Sequence, residues 1–240
     1  MNVDNVKVLI FDMDDTLINH GHVTKPTWIK TVKDMAEHFH LDIDAYRIGK
    51  EIGDVSDAIF ESEERRPKGN YDKRIFRTNL IHEAFCNVGY ENEDVIDYLI
   101  DKYDENKHQV VYIFEDVLDT LVELKKRGYI ITMLTNGDKE FQWEKINRLG
   151  FPPYFDHIFV SGEHNINKPE KSAYELVVKT CGVTLQESCM IGDNYLWEVV
   201  APIQYGMKAV WMNKFHKKKT GDVDPHYMIE NISELLEIFK

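Results

Sequence analysis

The sequence lacks the features that mark several classes of protein. Its three cysteines, Cys86, Cys181 and Cys189, show no metal-like pairing, so we expect reduced thiols and a cytoplasmic location. No apolar run approaches the length of a membrane span, and the N-terminus has neither the basic start nor the apolar stretch of a signal peptide. A net charge of -13 without a long basic run argues against a nucleic-acid partner.

The chain nevertheless has enough apolar residues, 43% of 240, to build a substantial core. Between about residues 20 and 108 the apolar residues recur at helical spacing, and we expect breaks at Gly49, Gly53, the run 67–70 and Gly89. Outside this block, helical segments alternate with short apolar runs that predict strands, at 7–10, 129–134, 157–160, 188–191, 207–211 and 226–228. Such alternation predicts an α/β fold with a parallel sheet covered on both faces and an all-helical insert.

Polar or small residues follow four of the predicted strands. They are Asp12 and Asp14, Thr135 and Asn136, Ser161 and Gly162, and Gly192 and Asp193. Ligands of parallel sheets bind beyond the carboxyl ends of the strands, so these residues and the nearby Lys168 predict a site at one edge. Taken alone, Asp12 to Thr16 could also be an acidic turn that ends a strand, and Lys168-Pro169 could be a plain helix start, with Pro169 in its first turn.

In this order, these residues resemble the four motifs of the haloacid dehalogenase-like superfamily of hydrolases. The motifs are Asp12-Met13-Asp14-Asp15-Thr16, Thr135-Asn136-Gly137, Lys168-Pro169 and Gly192-Asp193-Asn194. The resemblance spans about residues 5–18 and 110–215. It implies a doubly wound, Rossmann-like core formed by residues 1–18 and 110–240, with residues 19–109 as an inserted helical cap of the first subclass.

The resemblance also implies a role for each site residue. Asp12 would be the nucleophile that forms an aspartyl-phosphate, and Asp14 the general acid and then the general base. Thr135, Asn136 and Lys168 would bind the phosphoryl group, and Lys168 would also neutralise charge during transfer. Mg²⁺ would be held by Asp12, the backbone carbonyl of Asp14 and Asp193. Thr16 is expected to be structural and to close the loop by a backbone hydrogen bond.

The chain departs from the family pattern in a few places. Where many members carry Asn-Asp after the fourth motif, this chain has Trp197-Glu198, and Glu198 would contact either a metal-bound water or Lys168. Asp15 stands where glycine is common, and Pro202 predicts a bent or short helix. In the insert, four arginines (Arg65, Arg66, Arg74 and Arg77) are expected to be a solvated face paired with Glu61, Glu63 and Glu64, rather than a substrate contact.

The resemblance therefore implies a Mg²⁺-dependent phosphoric monoester hydrolase that acts on a small phosphorylated metabolite. The charge and the lack of a long apolar run lead us to expect neither nucleic acid nor a membrane as partner. A phosphomutase of the same fold stays open. A 2-haloacid dehalogenase is a further alternative, but it has no need of a proton donor, and the presence of Asp14 argues against it. A non-catalytic binding protein is disfavoured because Asp12, Asp14 and Lys168 are all present.

Overall fold

The computed structural model describes residue 3 and residues 5–62, 64–67 and 71–240. The predicted break at residues 68–70 therefore lies outside the described residues. The chain divides into two compact units: a sheet unit made of the chain up to Asn19 with Ile113–Lys240, and a helical unit made of His20–Pro67 and Tyr71–Tyr112. In the part of the chain described, no helix combines the length and apolar character needed to cross a bilayer.

The sheet unit is built on a six-stranded sheet in which all neighbouring strands are parallel. Its strands are β1 (Val8–Phe11), β2 (Ile130–Thr135), β3 (His157–Val160), β4 (Ser188–Gly192), β5 (Lys208–Met212) and β6 (Tyr227–Ile229). Their spatial order is β3-β2-β1-β4-β5-β6, so β1 is central. All four residues of β1 are buried, as expected for a strand covered on both faces. The predicted α/β fold is confirmed, with small shifts of the strand ends.

Helices connect and cover the strands, and they also form the insert. They are α1 (Thr24–His38), α2 (Ala45–Glu61), α3 (Lys73–Val88), α4 (Ile96–Val110), α5 (Val117–Lys126), α6 (Lys139–Arg148), α7 (Ser161–His164), α8 (Lys171–Thr180), α9 (Ala201–Gln204) and α10 (Leu235–Ile238). A π-helix, Tyr195–Val200, precedes α9, so the helix around Pro202 is short, as predicted. Near the C-terminus a 3-10 turn, Ile232–Glu234, precedes α10.

The core of the sheet unit lies on both faces of the sheet. On one face, Val8 and Ile10 pack with Tyr174 and Val177 of α8. These β1 residues alternate along the strand and so point to the same side. On the other side α5 packs against β2, and its Leu121 side chain is completely buried. This two-sided packing fixes the strands, and with them the polar residues at their carboxyl ends.

The helical unit has its own core, in which the rings of Trp28 and Tyr103 stack with 3.8 Å between centroids. The predicted breaks at Gly49 and Gly53 are wrong, because both residues lie inside α2. A Cβ on Gly49 would stand 2.5 Å from Ile29 Cα, so the missing side chain lets α1 and α2 approach closely. Gly89 does end α3, with a left-handed φ of 66°.

Arg65, Arg74 and Arg77 of the helical unit form ion pairs with acids other than the glutamates that the sequence suggested. Arg74 contacts Asp97 at 2.6 Å and Asp101 at 2.9 Å, while Arg77 contacts Asp104 at 2.7 Å. Helix packing brings these acids of α4 opposite α3, a pairing that spacing along the chain does not reveal. Of the predicted partners, Glu63 lies outside the described residues.

The chain leaves the sheet unit for the insert and returns to it at two points that are close in space. Ile18 forms an antiparallel bridge with Ile113. The backbone N–H of Phe114 donates to the carbonyl of Leu17 at 3.0 Å. The segments that lead into and out of the insert are therefore joined immediately after the loop that carries Asp12 and Asp14.

Candidate active site

The loop after β1 places Asp12 at the centre of the sheet edge. Its backbone N–H continues the sheet by donating to Ile191 at 2.9 Å, and its side chain is buried. The chain then turns back on itself through Asp15, whose φ of 60° is the left-handed conformation that aspartate tolerates better than most residues. The Thr16 hydroxyl lies 3.2 Å from Asp12 Oδ2, so Thr16 contacts the expected nucleophile directly.

Lys168 lies against Asp12 in the buried interior. Its Nζ is 2.6 Å from Asp12 Oδ1 and 2.8 Å from Glu198 Oε1, and its side chain is completely buried. Burial alone would lower the pKa of Lys168, but the carboxylates of Asp12 and Glu198 outweigh it and raise the pKa. Lys168 is therefore a fixed positive charge beside Asp12.

The Asn136 side chain fixes the backbone of Lys168 rather than facing outward. Its Nδ2 donates to the carbonyl of Lys168, and the N–H of Lys168 donates back to Asn136 Oδ1, each at 2.9 Å. This pair of bonds holds Lys168 and Pro169 in a turn, and α8 begins only at Lys171. The prediction that Pro169 occupies the first turn of the helix is therefore wrong.

Glu198 is oriented by both of its oxygens. Oε1 is paired with Lys168, and Oε2 accepts from the backbone N–H of Asn194 at 2.6 Å. Burial raises the pKa of Glu198 well above that of an ordinary glutamate. A Cβ on Gly192 would collide with Glu198 Cγ, so the glycine makes room for this carboxylate. Of the two roles considered for Glu198, the structure shows the contact with Lys168.

Asp193 is a third buried carboxylate at this edge, with Asp12 and Glu198. Burial raises the pKa of Asp193, the ammonium of Lys217 in contact with its Oδ2 opposes the rise, and Asp15 adds to it. The same electrostatic coupling appears at Asp12, where burial raises the pKa, Lys168 opposes the rise and Asp193 reinforces it. The structure thus brings two mutually repelling carboxylates together.

The Asp14 carboxylate lies toward α6 instead. Its two oxygens are 2.7 and 2.8 Å from the Nζ of Lys145. Gln142 Nε2 also donates to Asp14 Oδ2 at 3.3 Å and to Thr135 Oγ1 at 2.8 Å. The structure thus joins Asp14 and Thr135 through one helix, and the negative charge of Asp14 still acts on Asp12 by raising its pKa.

The donor set at the sheet edge suits a magnesium ion. Within the described residues, no three His, Cys, Asp or Glu side chains are grouped as a metal cluster. The Asp14 carboxylate is paired with Lys145. Asp12 and Asp193 nevertheless supply hard carboxylate oxygens, the donors that Mg²⁺ prefers. Their mutual repulsion is the strain that a bound cation relieves. The carboxylates of Asp12 and Asp193 therefore fit the ion.

Motif reasoning did not find Gln142, Lys145 and Lys217. Gln142 and Lys145 are each only 2% exposed, and Lys145 adjoins the fully buried Ile146. Two polar residues three apart on the apolar face of a helix were a usable signal, because buried polar side chains need partners. Lys217 lies in a loop, where no periodicity points to its contact.

The chain belongs to the haloacid dehalogenase-like hydrolases, because the model of that family matches residues 6–201. This confirms the expected family. Two curated relatives cover nearly the whole chain. A glyceraldehyde 3-phosphate phosphatase of Pyrococcus furiosus is 27% identical over 98% of this chain and 93% of its own length. The human N-acylneuraminate-9-phosphatase is 28% identical over 98% of this chain and 94% of its own. The expected enzyme class, a phosphoric monoester hydrolase, is confirmed.

Solved structures share the fold. The HAD-hydrolase YfnB of Bacillus subtilis, in a magnesium-bound crystal form, superposes with a TM-score of 0.75 at 19% identity, covering 98% of both chains. A 2-haloacid dehalogenase of Pseudomonas syringae superposes with a TM-score of 0.65 at 22% identity, covering 97% of both. At these identities the likeness concerns the fold alone.

Proposed function

We propose that this enzyme is a Mg²⁺-dependent phosphatase that hydrolyses a small phosphomonoester through an aspartyl-phosphate at Asp12. The observation that carries the proposal is the buried Asp12 carboxylate, held by Lys168 Nζ at 2.6 Å beside the carboxylate of Asp193. A carboxylate whose burial and neighbours raise its pKa is a functional group under strain, and it lies where ligands bind in parallel sheets.

In the first half of the reaction, a carboxylate oxygen of Asp12 bonds to phosphorus as the bond to the alcohol oxygen breaks. Asp14 gives the departing alcohol its proton. Lys168 stays protonated and balances the negative charge of the transferring group. In the second half, Asp14 takes a proton from water, which attacks the phosphorus and frees Asp12 and inorganic phosphate.

The phosphoryl oxygens would be held by the hydroxyl of Thr135, by backbone N–H groups around Asn136 and by Lys168. Asp12, Asp193 and the backbone carbonyl of Asp14 would hold Mg²⁺, which when bound supplies positive charge to the phosphoryl oxygens. Hard oxygen donors and a strained carboxylate pair support this assignment. The magnesium in the YfnB structure is in accord with it.

The substrate we propose is a small phosphorylated metabolite, a sugar phosphate being the first class to test. Two relatives that span nearly the full chain are named for glyceraldehyde 3-phosphate and N-acylneuraminate 9-phosphate. We further propose that the insert, residues 19–109, acts as the cap domain that selects the alcohol part of the substrate, and that the enzyme works in the cytoplasm.

The direct test measures phosphate release from an aryl phosphate with Mg²⁺, with chelator and after Asp12→Asn. We expect activity only with the ion, and a loss of about 10³-fold or more in the variant, because the amide cannot attack phosphorus. Asp119→Asn, the same change at an exposed position of α5, serves as the matched control and should retain activity. Equal turnover by Asp12→Asn would exclude the mechanism.

A screen of phosphorylated metabolites against the wild-type enzyme then defines the substrate. Release of inorganic phosphate supports a phosphatase. Isomerisation of a sugar phosphate without release would instead identify a phosphomutase, which also uses Asp14. Halide release from a 2-haloacid without added metal would identify a dehalogenase.

A further inference from the structure

Helix α6 reaches the reaction centre with two side chains that the proposed chemistry does not use. Lys145 is buried in the sheet unit, with its side chain only 3% exposed, and its Nζ lies within 2.8 Å of both oxygens of Asp14. A buried ammonium without a counter-charge costs several kcal/mol, so the ion pair resists separation. Asp14 is therefore held at a fixed position by an interaction that is not part of the family motifs.

Gln142, one turn earlier on the same face, ties this pair to the predicted phosphate site. Its Nε2 donates to Thr135 Oγ1 at 2.8 Å, to the carbonyl of Asn136 at 2.6 Å and to Asp14 Oδ2 at 3.3 Å. Rotating the amide by half a turn would set its oxygen against a carbonyl and a carboxylate, so its orientation is determined. The Thr135 oxygen accepts from Gln142 at 2.8 Å, and its hydroxyl donates over a longer distance, 3.5 Å, to the carbonyl of Asn136.

We propose that Lys145 is a positioning residue for proton transfer: when Asp14 carries its proton, one carboxyl oxygen accepts from Lys145 Nζ and the other presents the proton to the departing alcohol. Lys145 itself neither attacks nor binds phosphate. Gln142 extends the same arrangement to Thr135, so α6 sets the relative positions of the proton donor and a phosphoryl ligand. This inference rests on the proposed phosphatase function and adds to it the residue that prepares Asp14.

The test compares two leaving groups. A nitrophenyl phosphate releases a weak base that needs little protonation, whereas an alkyl phosphate such as glycerol phosphate releases a strong base that needs a proton. The quantity measured is kcat/KM, which covers the steps through release of the alcohol. We expect Lys145→Met to lower it about 100-fold for the alkyl ester and only severalfold for the aryl ester.

A double-mutant cycle then connects the effect to Asp14. If Lys145 acts through Asp14, Lys145→Met in an Asp14→Asn background should lower the remaining activity by less than about twofold. Lys145→Arg keeps the charge and should recover most of the alkyl-ester activity. Lys126→Met, at an exposed position of α5, is the matched control and should behave as wild type.

The outcomes separate the two proposals. A wild-type enzyme that releases no phosphate from any monoester would refute the proposed function itself. An active wild type in which Lys145→Met slows both esters equally, or adds fully to Asp14→Asn, would overturn the role of Lys145 alone. If Lys145→Met does not fold, Lys145→Arg decides. A fall of about 100-fold in its kcat/KM for the alkyl ester, with only a severalfold fall for the aryl ester, would exclude positioning through charge.

Discussion

In the helical unit, the buried Arg77 pairs with Asp104 at 2.7 Å, whereas in the sheet unit the buried Lys168 is shared between two carboxylates, Asp12 and Glu198. Burial acts to raise the pKa of Asp104, but Arg77 and Lys73 outweigh it and hold the pKa below the ordinary value. Burial dominates at Asp12 and Glu198, and the pKa of both is raised.

The opposite pKa shifts of these acids follow from the number of cations that each acid contacts. Asp104 contacts two cations, Arg77 and Lys73, so its charge is well compensated. In the sheet unit Asp12 and Glu198 share one lysine. Compensated pairs stabilise a fold, whereas an excess of buried negative charge persists where function requires it. The buried charges of the helical unit are therefore compensated, whereas the sheet unit keeps buried negative charge in excess.

The largest effect that tests this contrast should come from Arg77→Met. Removing the arginine leaves Asp104 with Lys73 alone, and we expect the free energy of unfolding to fall by about 3 kcal/mol. The kcat of the folded enzyme should not change. Chemical denaturation and steady-state kinetics measure the two quantities. Arg65→Met, which breaks an exposed pair with Glu83, should cost much less. A fall in kcat without loss of stability would make Arg77 a substrate contact instead.

Glu198→Gln tests the other half of the contrast. The amide is nearly the same size but loses the charge that holds Lys168, so we expect a fall in kcat/KM of roughly 10- to 100-fold. The melting temperature should stay close to wild type, because a carboxylate that is costly to bury has been removed. Full activity combined with a large loss of stability would show that Glu198 is a structural residue, as the acids of the helical unit are.

Two glycine substitutions sharpen the comparison by steric means. Gly49→Ala sets a Cβ against the backbone of Ile29 and should lower the free energy of unfolding by about 1–3 kcal/mol with kcat unchanged. Gly192→Ala places a Cβ against the Glu198 side chain. It should lower both stability and activity, because it displaces the partner of Lys168. Thermal melting and kinetics on both variants provide the measurement. Gly53→Ala, where the added methyl meets the flexible Lys25 side chain, is the control for helix propensity.

The smallest predicted effect is a pH dependence of opposite sign in the two units. Because the folded-state pKa of Asp104 is lowered, its stabilising contribution is present above the ordinary value of 3.8 and is lost as the pH falls through the folded-state pKa. The folded-state pKa of Glu198 is raised, so its contribution to stability is greatest below 4.5, the ordinary pKa of a glutamate. This contribution is lost as the pH rises through the folded-state pKa. Melting curves with chelator follow both trends, and Asp104→Asn should abolish only the acid-side loss.

The fold and the strand-end residues were predictable because each is encoded locally. Apolar runs define the strands, and parallel strands bring Asp12, Thr135 and Asp193 to one edge whatever the details of packing. The partners of these residues were less accessible. The contact between Lys145 and Asp14 depends on which face α6 turns toward the sheet, and Gly49 looks like a helix break until close packing against α1 is seen. Local patterns can show that a polar residue on an apolar helix face needs a buried partner, but they do not identify that partner.

The tie between Ile18 and Ile113 has a consequence for how this chain can be altered. Backbone contacts already join the two points at which the chain leaves and re-enters the sheet unit. The sheet unit is therefore continuous without the insert. Exchanging or shortening the insert would leave the order and register of the strands unchanged. The junction is thus a natural splice point, at which one reaction centre could be recombined with many different inserts.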